Sequence, residues 1–523
     1  MPPNAKLGEV LQHHAIGIEH REEKIAFLKK LIGEDVLEKL TVGEAFQEGH
    51  SLGFLERRIS LDGCSTLEQL WFDSFLVDCD NWSKRKHKIP RIEEPHNRFD
   101  AVGTPSTFGT NSAGGWPEKQ ENSSLEVMCG RPSKSFWINA RIMHPVFNEM
   151  MEALKENSVP EPTDFKLARA LTRTMPSSFL FENSRRDEIN HILDDHLKLG
   201  IKVQSISSFV TDGTSFPSGL NVEYKNEKGL GKSDPYMQNI GYYVHYWSRS
   251  DGPKRHCCPW IIMEVLGQEI GLSAAVWACG RPAAQPLSPN VPFLPVPSDK
   301  DIFRMQARLC KALRVGTTTL RNFYQTAGSI QVTPQAGFPY PRIVCFDGKT
   351  EQVELEYTGI LNGAKEARKM LFLAKRKDTQ ESVLVKFTDR YGKEVHEALA
   401  TEALAPALHY VESHAGLVMV VMELLTDCHM WNKGNRTKEH VLKLEKAGTI
   451  LEKNGYVHGD LRPPNVHTKG ENIYILDFDW AGNEDDVVYP DVLNPTQNWH
   501  QDAKVGLPIR KEHDKFMIEN LCK

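Results

Sequence analysis

Three polar side chains near the C-terminus have the types and the spacing that phosphoryl transfer requires. Asp460 and Asn465 belong to the segment H-G-D-L-R-P-P-N at 458–465, and Asp477 follows an apolar run. Phosphoryl transfer from ATP needs one acid to orient the attacking hydroxyl, and an amide and a second acid to hold Mg²⁺. We therefore predict Asp460 as the catalytic acid, with Asn465 and Asp477 as Mg²⁺ ligands. Arg462 could neutralise the transferring phosphoryl group.

An apolar run upstream carries one lysine. Lys386 lies in V-L-V-K-F at 383–387, and a lysine on such a strand can contact the α- and β-phosphates of ATP. The spacing predicts a helix from Tyr391 to Leu408. Its Glu394 is predicted to pair with Lys386 and so fix it for catalysis, with Glu397 as the alternative partner.

The next apolar run ends in Met422, Glu423 and Leu424. These residues are predicted to offer backbone donors and acceptors to adenine, and the alternative is an ordinary core strand. Gly359 and Gly363 frame only three residues, unlike G-x-G-x-x-G. A glycine-rich loop that cradles phosphates is therefore only weakly indicated.

Together these motifs resemble the protein-kinase-like superfamily over residues 342–523. The resemblance implies a two-lobed fold that uses ATP and Mg²⁺, with Asp514 bracing the catalytic loop. Asp479 departs from the Gly of most protein kinases, and L-D-F-D-W resembles the metal loop of choline- and aminoglycoside-kinase-like enzymes. No A-P-E signature follows, so the peptide-binding half is expected to be truncated. A protein hydroxyl is the favoured acceptor. A small-molecule hydroxyl and a non-catalytic pseudokinase module remain open.

A second group of polar residues lies in the middle of the chain. Asp212, Glu223 and Lys225 follow the spacing D-x10-E-x-K. The two-residue period of a strand places Glu223 and Lys225 on one face. The two carboxylates could hold Mg²⁺ while Lys225 orients water or neutralises a scissile phosphate. A helix that starts after Asp234 would present Gln238 and Tyr242 one turn apart.

This second pattern resembles the PD-(D/E)xK, restriction-endonuclease-like fold in its RecB-like form. The resemblance implies a metal-dependent nuclease with Glu188 as an auxiliary acid, and the alternative is an amphipathic edge strand with a salt-bridged face. A nuclease-like domain ahead of a kinase-like domain resembles the Crinkler-type effectors of fungi and oomycetes. The segment L-F-L-A-K at 371–375 echoes their translocation motif. It lies in a predicted strand, so we assign it no targeting role.

The elements that must position these residues indicate an α+β multidomain fold. Helical periodicity covers the first 95 residues or so, and a basic run at 84–88 is either a solvated helix end or a nuclear-import or nucleic-acid patch. In the middle, the pattern predicts a helix from Arg185 to Lys198, another after Asp234, and three strand-like runs. Those runs are 201–210, 219–226 and 260–278. The predicted domains are a helical region at 1–125 with a mobile linker near 103–124, a PD-(D/E)xK nuclease-like domain at 126–300, a connecting helix and linker at 301–341, and a protein-kinase-like domain at 342–523.

The net charge, the cysteine content and the length of the apolar runs limit the classes of protein to which this chain can belong. The 523 residues carry a formal net charge of −6, which gives no general attraction to nucleic acid, although a local basic groove stays open. The chain has ten cysteines, and the adjacent pair Cys257 and Cys258 has no second pair at the spacing of a zinc site. This pattern indicates a reducing compartment and no structural zinc. No apolar run approaches the roughly 18–20 residues of a membrane span, and no signal peptide is recognisable. We expect an intracellular protein, cytoplasmic or nuclear, that acts on a protein or small-molecule hydroxyl.

Overall fold

The computed structural model describes most of the chain beyond residue 102. The described residues are 103–112, 114–121, 126–132, 138–206, 209–229, 232–348, 350–361, 369–432, 434 and 436–523. The predicted N-terminal helices and the basic run at 84–88 lie outside them. The described part mixes helices with several sheets, in agreement with an α+β protein. None of its helices is long and apolar enough to span a membrane.

A six-stranded sheet forms the centre of the middle region, residues 126–330. Its path is β3-β4-β5-β6-β7, and β8 pairs with β6. The strands are β3 Gly213–Ser215, β4 Leu220–Lys225, β5 Trp260–Leu266, β6 Glu269–Ala278, β7 Arg281–Pro286 and β8 Val291–Pro292. A small hairpin precedes them, formed by β1 Ser205–Ile206 and β2 Phe209–Val210. The predicted run 260–278 is thus two antiparallel strands, because the chain turns at Gly267 with φ of +60°.

Eight α-helices are described up to residue 330, together with a 3₁₀ helix at Gly252–Lys254. They are α1 Pro105–Phe108, α2 Trp116–Glu121, α3 Ala140–Met143, α4 Pro145–Leu154, α5 Pro162–Thr174, α6 Glu182–Leu197, α7 Pro235–Trp247 and α8 Lys300–Ala327. Strands β4 and β5 run parallel, and α7 makes the crossover that parallel neighbours need. Asp234 caps α7 by accepting the N–H of Met237 at 3.0 Å.

The predicted mobile linker near 103–124 needs correction, whereas a helix is present in the predicted connecting segment 301–341. The predicted mobile linker near 103–124 contains α1 and α2, and Phe108 is fully buried in a cluster with residues of α7. The predicted connecting helix is α8, which packs on α4 and buries Leu309, Leu313 and Leu320. Both segments carry apolar side chains that the middle region buries, so neither is a free connector.

The C-terminal region, residues 342–523, begins with an antiparallel sheet of order β13-β14-β12-β11-β10-β9. Its strands are β9 Ile343–Cys345, β10 Gln352–Ile360, β11 Met370–Arg376, β12 Ser382–Thr388, β13 Leu408–His414 and β14 Leu417–Glu423. Helix α9, Lys393–Thr401, connects β12 to β13. It is shorter than the predicted helix Tyr391–Leu408, because Ala403 takes a left-handed φ of +55° and Pro406 follows.

The rest of the C-terminal region is built on α10 Lys438–Asn454 and α11 Lys511–Cys522. Its strands are β15 His429–Met430, β16 Tyr456–Val457, β17 Val466–Lys469, β18 Asn472–Ile475 and β19 Gly482–Asn483. Strand β17 forms a hairpin with β18 and also pairs with β15, while β16 pairs with β19. These short pairs hold the two loops that carry Asp460 and Asp477.

The six-stranded C-terminal sheet shares one buried apolar cluster with the middle region. At the junction, the Gln335 amide bridges the backbone of Tyr357, donating to its O and accepting from its N, each at 2.9 Å. Phe338 stacks on the Tyr357 ring at 5.9 Å. The segment between the two regions is therefore packed against the sheet.

Candidate active site

Four of the polar residues predicted in the C-terminal region meet in one place. Lys386 lies on β12, Asp460 and Asn465 lie between β16 and β17, and Asp477 follows β18. Nδ2 of Asn465 donates to Oδ2 of Asp460 at 2.7 Å. Nζ of Lys386 donates to Oδ1 of Asp477 at 2.6 Å. The two loops are held together where the N–H of Leu476 donates to the Asn465 carbonyl at 2.8 Å.

A buried carboxylate on α11 fixes the start of the loop 458–465. Asp514 accepts the backbone N–H of His458 at 2.5 Å and that of Gly459 at 2.8 Å. Burial raises the pKa of Asp514 to about 7. The sequence-based expectation that Asp514 braces this loop is confirmed. The bracing matters because Gly459 has a φ of +79°, a conformation that a free loop of other residues would rarely hold.

Asp460 is held by its own loop. The guanidinium of Arg462 contacts both of its carboxylate oxygens, with Nη2 to Oδ2 at 2.8 Å. Burial raises the pKa of Asp460 to about 6, although Arg462 opposes that shift. Asp460 is thus oriented from two sides, by Arg462 and by Asn465, and is ionised above about pH 6.

Asp477 sits in a left-handed conformation with φ of +69° and contacts two lysines. Lys386 contacts its Oδ1, and Lys369 contacts its Oδ2. Lys386 also lies 2.6 Å from Oδ1 of Asp479. Burial opposes ionisation, but the ammonium groups of Lys386 and Lys369 hold the pKa of Asp477 well below its usual range. Burial raises the pKa of Asp479.

The predicted pairing of Lys386 with Glu394 is wrong. Lys386 is bound by Asp477 and Asp479, whereas Glu394 is exposed and Glu397 lies 3.9 Å from Lys393. Helix α9 directs Val395, His396 and Leu399 inward. The rotation of the helix therefore points both glutamates away from Lys386.

Two of the three residues predicted to face adenine, Met422 and Glu423, make contacts within the sheet instead. Met422 is buried and lies between Leu384 of β12 and Leu408 of β13. Glu423 donates its N–H to the Ala407 carbonyl at 2.9 Å, and its Oε2 accepts from the Ala407 N–H at 3.1 Å. The N–H of Glu423 is therefore not available to a base. Leu424 follows the strand, and its role at the adenine stays a prediction. Of the two glycines predicted to frame a phosphate loop, Gly359 lies in β10 and Gly363 lies outside the described residues.

The donor set suits Mg²⁺ only together with a phosphate. Within the described ranges, no three His, Cys, Asp or Glu side chains are close enough to form a metal cage. Mg²⁺ is usually held by one or two carboxylates plus substrate phosphates. Asp477 already binds cationic groups through both oxygens, and Asn465 adds an amide oxygen. These residues fit a divalent cation that arrives with a nucleotide.

A second polar cluster surrounds Glu223 on β4. Nζ of Lys225 donates to Oε1 of Glu223 at 2.7 Å, and Glu182 lies 3.9 Å from the same ammonium. Asp212 Oδ2 accepts the N–H of Tyr224 at 3.1 Å. Oε2 of Glu223 is buried with no hydrogen-bond partner in the part of the chain described. Burial, followed by the charge of Asp212, raises the pKa of Glu223 to about 8.

The other residues predicted for this cluster divide into two groups. Gln238 and Tyr242 are buried on α7 beside it; Nε2 of Gln238 lies 3.4 Å from the Tyr242 hydroxyl, which donates to the Val210 carbonyl at 2.8 Å. Glu188 is exposed on α6, and its role as auxiliary acid stays a prediction. Glu182, at the start of α6, is the acid of this helix that lies 3.9 Å from Nζ of Lys225. No signal in the sequence distinguished it from the other acids of the helix.

The sequence matches no protein-family model and no curated protein. Among solved structures, the chain is similar to the PK-1 kinase of Cydia pomonella granulovirus, with 15% sequence identity and a TM-score of 0.25. The match covers 31% of this chain and 65% of that kinase, which is less than two thirds of its length. A similarity this low says nothing about the activity of this protein.

Proposed function

We propose that the C-terminal region is an ATP- and Mg²⁺-dependent phosphotransferase of the protein-kinase-like type. The observation that carries the proposal is the arrangement of Lys386, Asp460, Asn465 and Asp477, which place one ammonium, two carboxylates and an amide together. The bracing of the loop by Asp514 supports it. In a two-lobed kinase-like fold, the sheet β9–β14 with α9 would form one lobe and the helices α10 and α11 the other.

Each side chain has a role that its contacts allow. Asp460 is oriented by Arg462 and Asn465, so it can accept a hydrogen bond from the acceptor hydroxyl and take its proton. Lys386 is buried and cationic beside Asp477, where it can contact nucleotide phosphates. Asn465 and Asp477 would hold Mg²⁺, which neutralises charge on the phosphates when bound. Leu424 and the backbone after it would face the adenine.

The acceptor is proposed to be a protein hydroxyl. The alternative acceptor, a small-molecule hydroxyl, is favoured by Asp479 in the metal loop, since this residue distinguishes the choline- and aminoglycoside-kinase-like branch that the loop resembles. Transfer of labelled γ-phosphate from ATP to a mixed protein substrate, and separately to amino alcohols and aminoglycosides, would discriminate between them.

Calorimetry and transfer assays test the proposal. Wild-type protein should bind ATP in a Mg²⁺-dependent manner. Asp460→Asn should keep that binding and lose most transfer, by about 10²–10⁴-fold, because the hydroxyl loses its general base. Asp477→Ala should weaken Mg·ATP binding. Nucleotide binding without any transfer would favour the pseudokinase alternative, and the absence of Mg²⁺-dependent binding would refute the proposal.

A metal-dependent nuclease at the middle site is the second candidate function. It is favoured by the grouping of Glu182, Asp212, Glu223 and Lys225, and by the unpartnered Oε2 of Glu223. A divalent cation would relieve the cost of burying that carboxylate, and it would activate water for attack on a phosphodiester.

The two candidate functions are separable because their residues lie in different regions. Lys225→Ala should abolish Mg²⁺-dependent cleavage of DNA or RNA and leave phosphate transfer intact, whereas Asp460→Asn should do the reverse. Lys228→Ala is the matched control, since Lys228 is an exposed lysine nearby that pairs with Glu269. Cleavage that persists unchanged in Lys225→Ala would remove the nuclease assignment.

A further inference from the structure

We propose that Lys369 is a second phosphate-binding lysine, which occupies Asp477 until Mg·nucleotide arrives and then transfers to the phosphates. This inference rests on the phosphotransferase function proposed above. It assigns a nucleotide-phosphate contact to a residue that the motifs do not identify.

The position of Lys369 relative to Asp477 is the first observation. Lys369 directly precedes β11, and its Nζ contacts Oδ2 of Asp477. Lys386 approaches the same carboxylate through Oδ1. Each oxygen of Asp477 thus carries an ammonium contact while both lysines are in place. A divalent cation that uses this carboxylate would lie within a few ångströms of both ammonium groups, and the repulsion favours displacement of one of them.

Burial and pairing decide which lysine is displaced. The Lys386 side chain is 5% exposed and also contacts Asp479 at 2.6 Å, whereas that of Lys369 is 33% exposed and has Asp477 as its one ion-pair partner among the described residues. Moving Lys386 would leave a buried ammonium and Asp479 uncompensated, which is costly. Lys369 can turn toward solvent at little cost, so it is the mobile cation of the pair.

The charges of the bound cation and of the nucleotide would then move the Lys369 ammonium from Asp477 to the phosphates. A divalent cation at Asp477 would repel the ammonium of Lys369 at a separation of a few ångströms. The same cation brings the nucleotide phosphates, which are the strongest anions in the site. An ammonium on a four-carbon stem can exchange one anionic oxygen for another without a change in the backbone.

The sequence supports a need for this contact. The chain has no G-x-G-x-x-G segment before β11, the motif whose backbone N–H groups cradle phosphates. A lysine at the start of β11 can provide the missing positive charge from the same side of the sheet. Lys369 and Lys386 lie on neighbouring antiparallel strands or their ends, which allows both to reach one anion.

Isothermal titration calorimetry on the full chain tests the exchange through two effects of opposite sign. Lys369→Met should weaken Mg·ATP and Mg·ADP about tenfold to a hundredfold, the usual effect of losing one charge-assisted hydrogen bond, and should leave adenosine binding unchanged. The same variant should bind Mn²⁺ alone more tightly than wild type, because Asp477 is freed. Lys369→Arg should retain most of the ATP affinity.

Lys375→Met is the matched control. Lys375 is an exposed lysine on the same strand, and its loss should change neither binding reaction. Wild-type protein that fails to bind Mg·ATP refutes the phosphotransferase proposal and this inference together. Wild-type binding with an unchanged Lys369→Met variant, or an equal loss for adenosine, overturns this inference alone. Thermal melting of each variant separates loss of binding from loss of folding.

Discussion

The imidazole of His396 lies parallel to the phenyl ring of Phe478, with ring centroids 4.3 Å apart and 8° between the planes. His396 is on α9 and Phe478 is in the loop that carries Asp477. Nδ1 of His396 accepts from the Tyr391 hydroxyl at 2.7 Å, and Nε2 donates to the Pro406 carbonyl at 2.8 Å. The Pro406 carbonyl can only accept, so Nε2 carries a proton, and the neutral ring leaves Nδ1 to accept from the Tyr391 hydroxyl. Helix α9 therefore holds the loop that carries Asp477 through an uncharged ring stack.

Lowering the pH should weaken the stack of His396 on Phe478. Burial lowers the pKa of His396 to about 4, below the value of an unfolded histidine. The unfolded state therefore binds more protons, and the stability that neutral His396 contributes is present above about pH 6.5 and lost as pH falls toward 4. His396→Gln should lose less stability over this range, by up to about 1.4 kcal/mol per pH unit. Urea unfolding at pH 7, 5.5 and 4.5 measures the difference. Equal slopes for both proteins would contradict a neutral buried ring.

The rate of phosphate transfer should depend on the ionisation of Asp460. Since burial raises its pKa to about 6 and Arg462 opposes that shift, kcat/KM should rise with pH to a plateau above about 7. Arg462→Ala should move the rising limb to higher pH, because the carboxylate loses its bidentate cation. Arg304→Ala, which removes an exposed arginine of the middle region, is the control. A limb that stays in place would show that another group controls the rate.

Gly392 packs where a larger residue would collide with the loop that carries Asp477 and Ala481. Its N–H donates to the Phe478 carbonyl at 2.9 Å, and an added Cβ would lie 2.5 Å from the Ala481 carbonyl oxygen. Gly392→Ala should therefore lower the free energy of unfolding by about 1–3 kcal/mol through overpacking, and should reduce Mg·ATP binding. Gly328→Ala is the control, since nothing lies within 4 Å of its Cβ position. Calorimetric melting of both variants measures the effect.

The contiguous loops were predictable because their chemistry depends on local spacing. Asp460, Asn465 and Asp477 belong to two short segments, and a buried acid such as Asp514 is what their strained backbone needs. Gln238 and Tyr242 followed from the one-turn spacing on a helix whose start is marked by Asp234 and Pro235. In these cases the local sequence fixes the relative placement of the side chains.

Helix acids were not predictable in the same way. Glu394 and Glu188 lie on helices of the expected location, but tertiary packing sets the rotation of α9 and α6, and both side chains point to solvent. Glu182 lies in the first turn of α6 and contacts Lys225, and Lys369 lies at the start of β11 and contacts Asp477. Their placement depends on how distant segments pack, which spacing along the chain does not record.

Glu223 gives a test of the middle site that does not depend on cleavage. Burial and then Asp212 raise its pKa to about 8, so between about pH 4.5 and 8 the native state binds a proton that the unfolded state has lost. The free energy of unfolding should fall as pH rises through that window, by up to about 1.4 kcal/mol per unit relative to Glu223→Gln. Glu188→Gln, at an exposed acid, should leave the wild-type slope unchanged.

Adding Mn²⁺ should then distinguish a metal site from a buried acid held only by Lys225. A bound divalent cation stabilises the ionised carboxylate, so the wild-type slope between about pH 4.5 and 8 should flatten with Mn²⁺ while the Glu223→Gln protein is unaffected. Denaturant unfolding with and without Mn²⁺ at pH 6, 7 and 8 measures this. A wild-type slope that does not change at millimolar Mn²⁺ would mean that Glu223 does not bind metal, and the nuclease candidate would lose its main support.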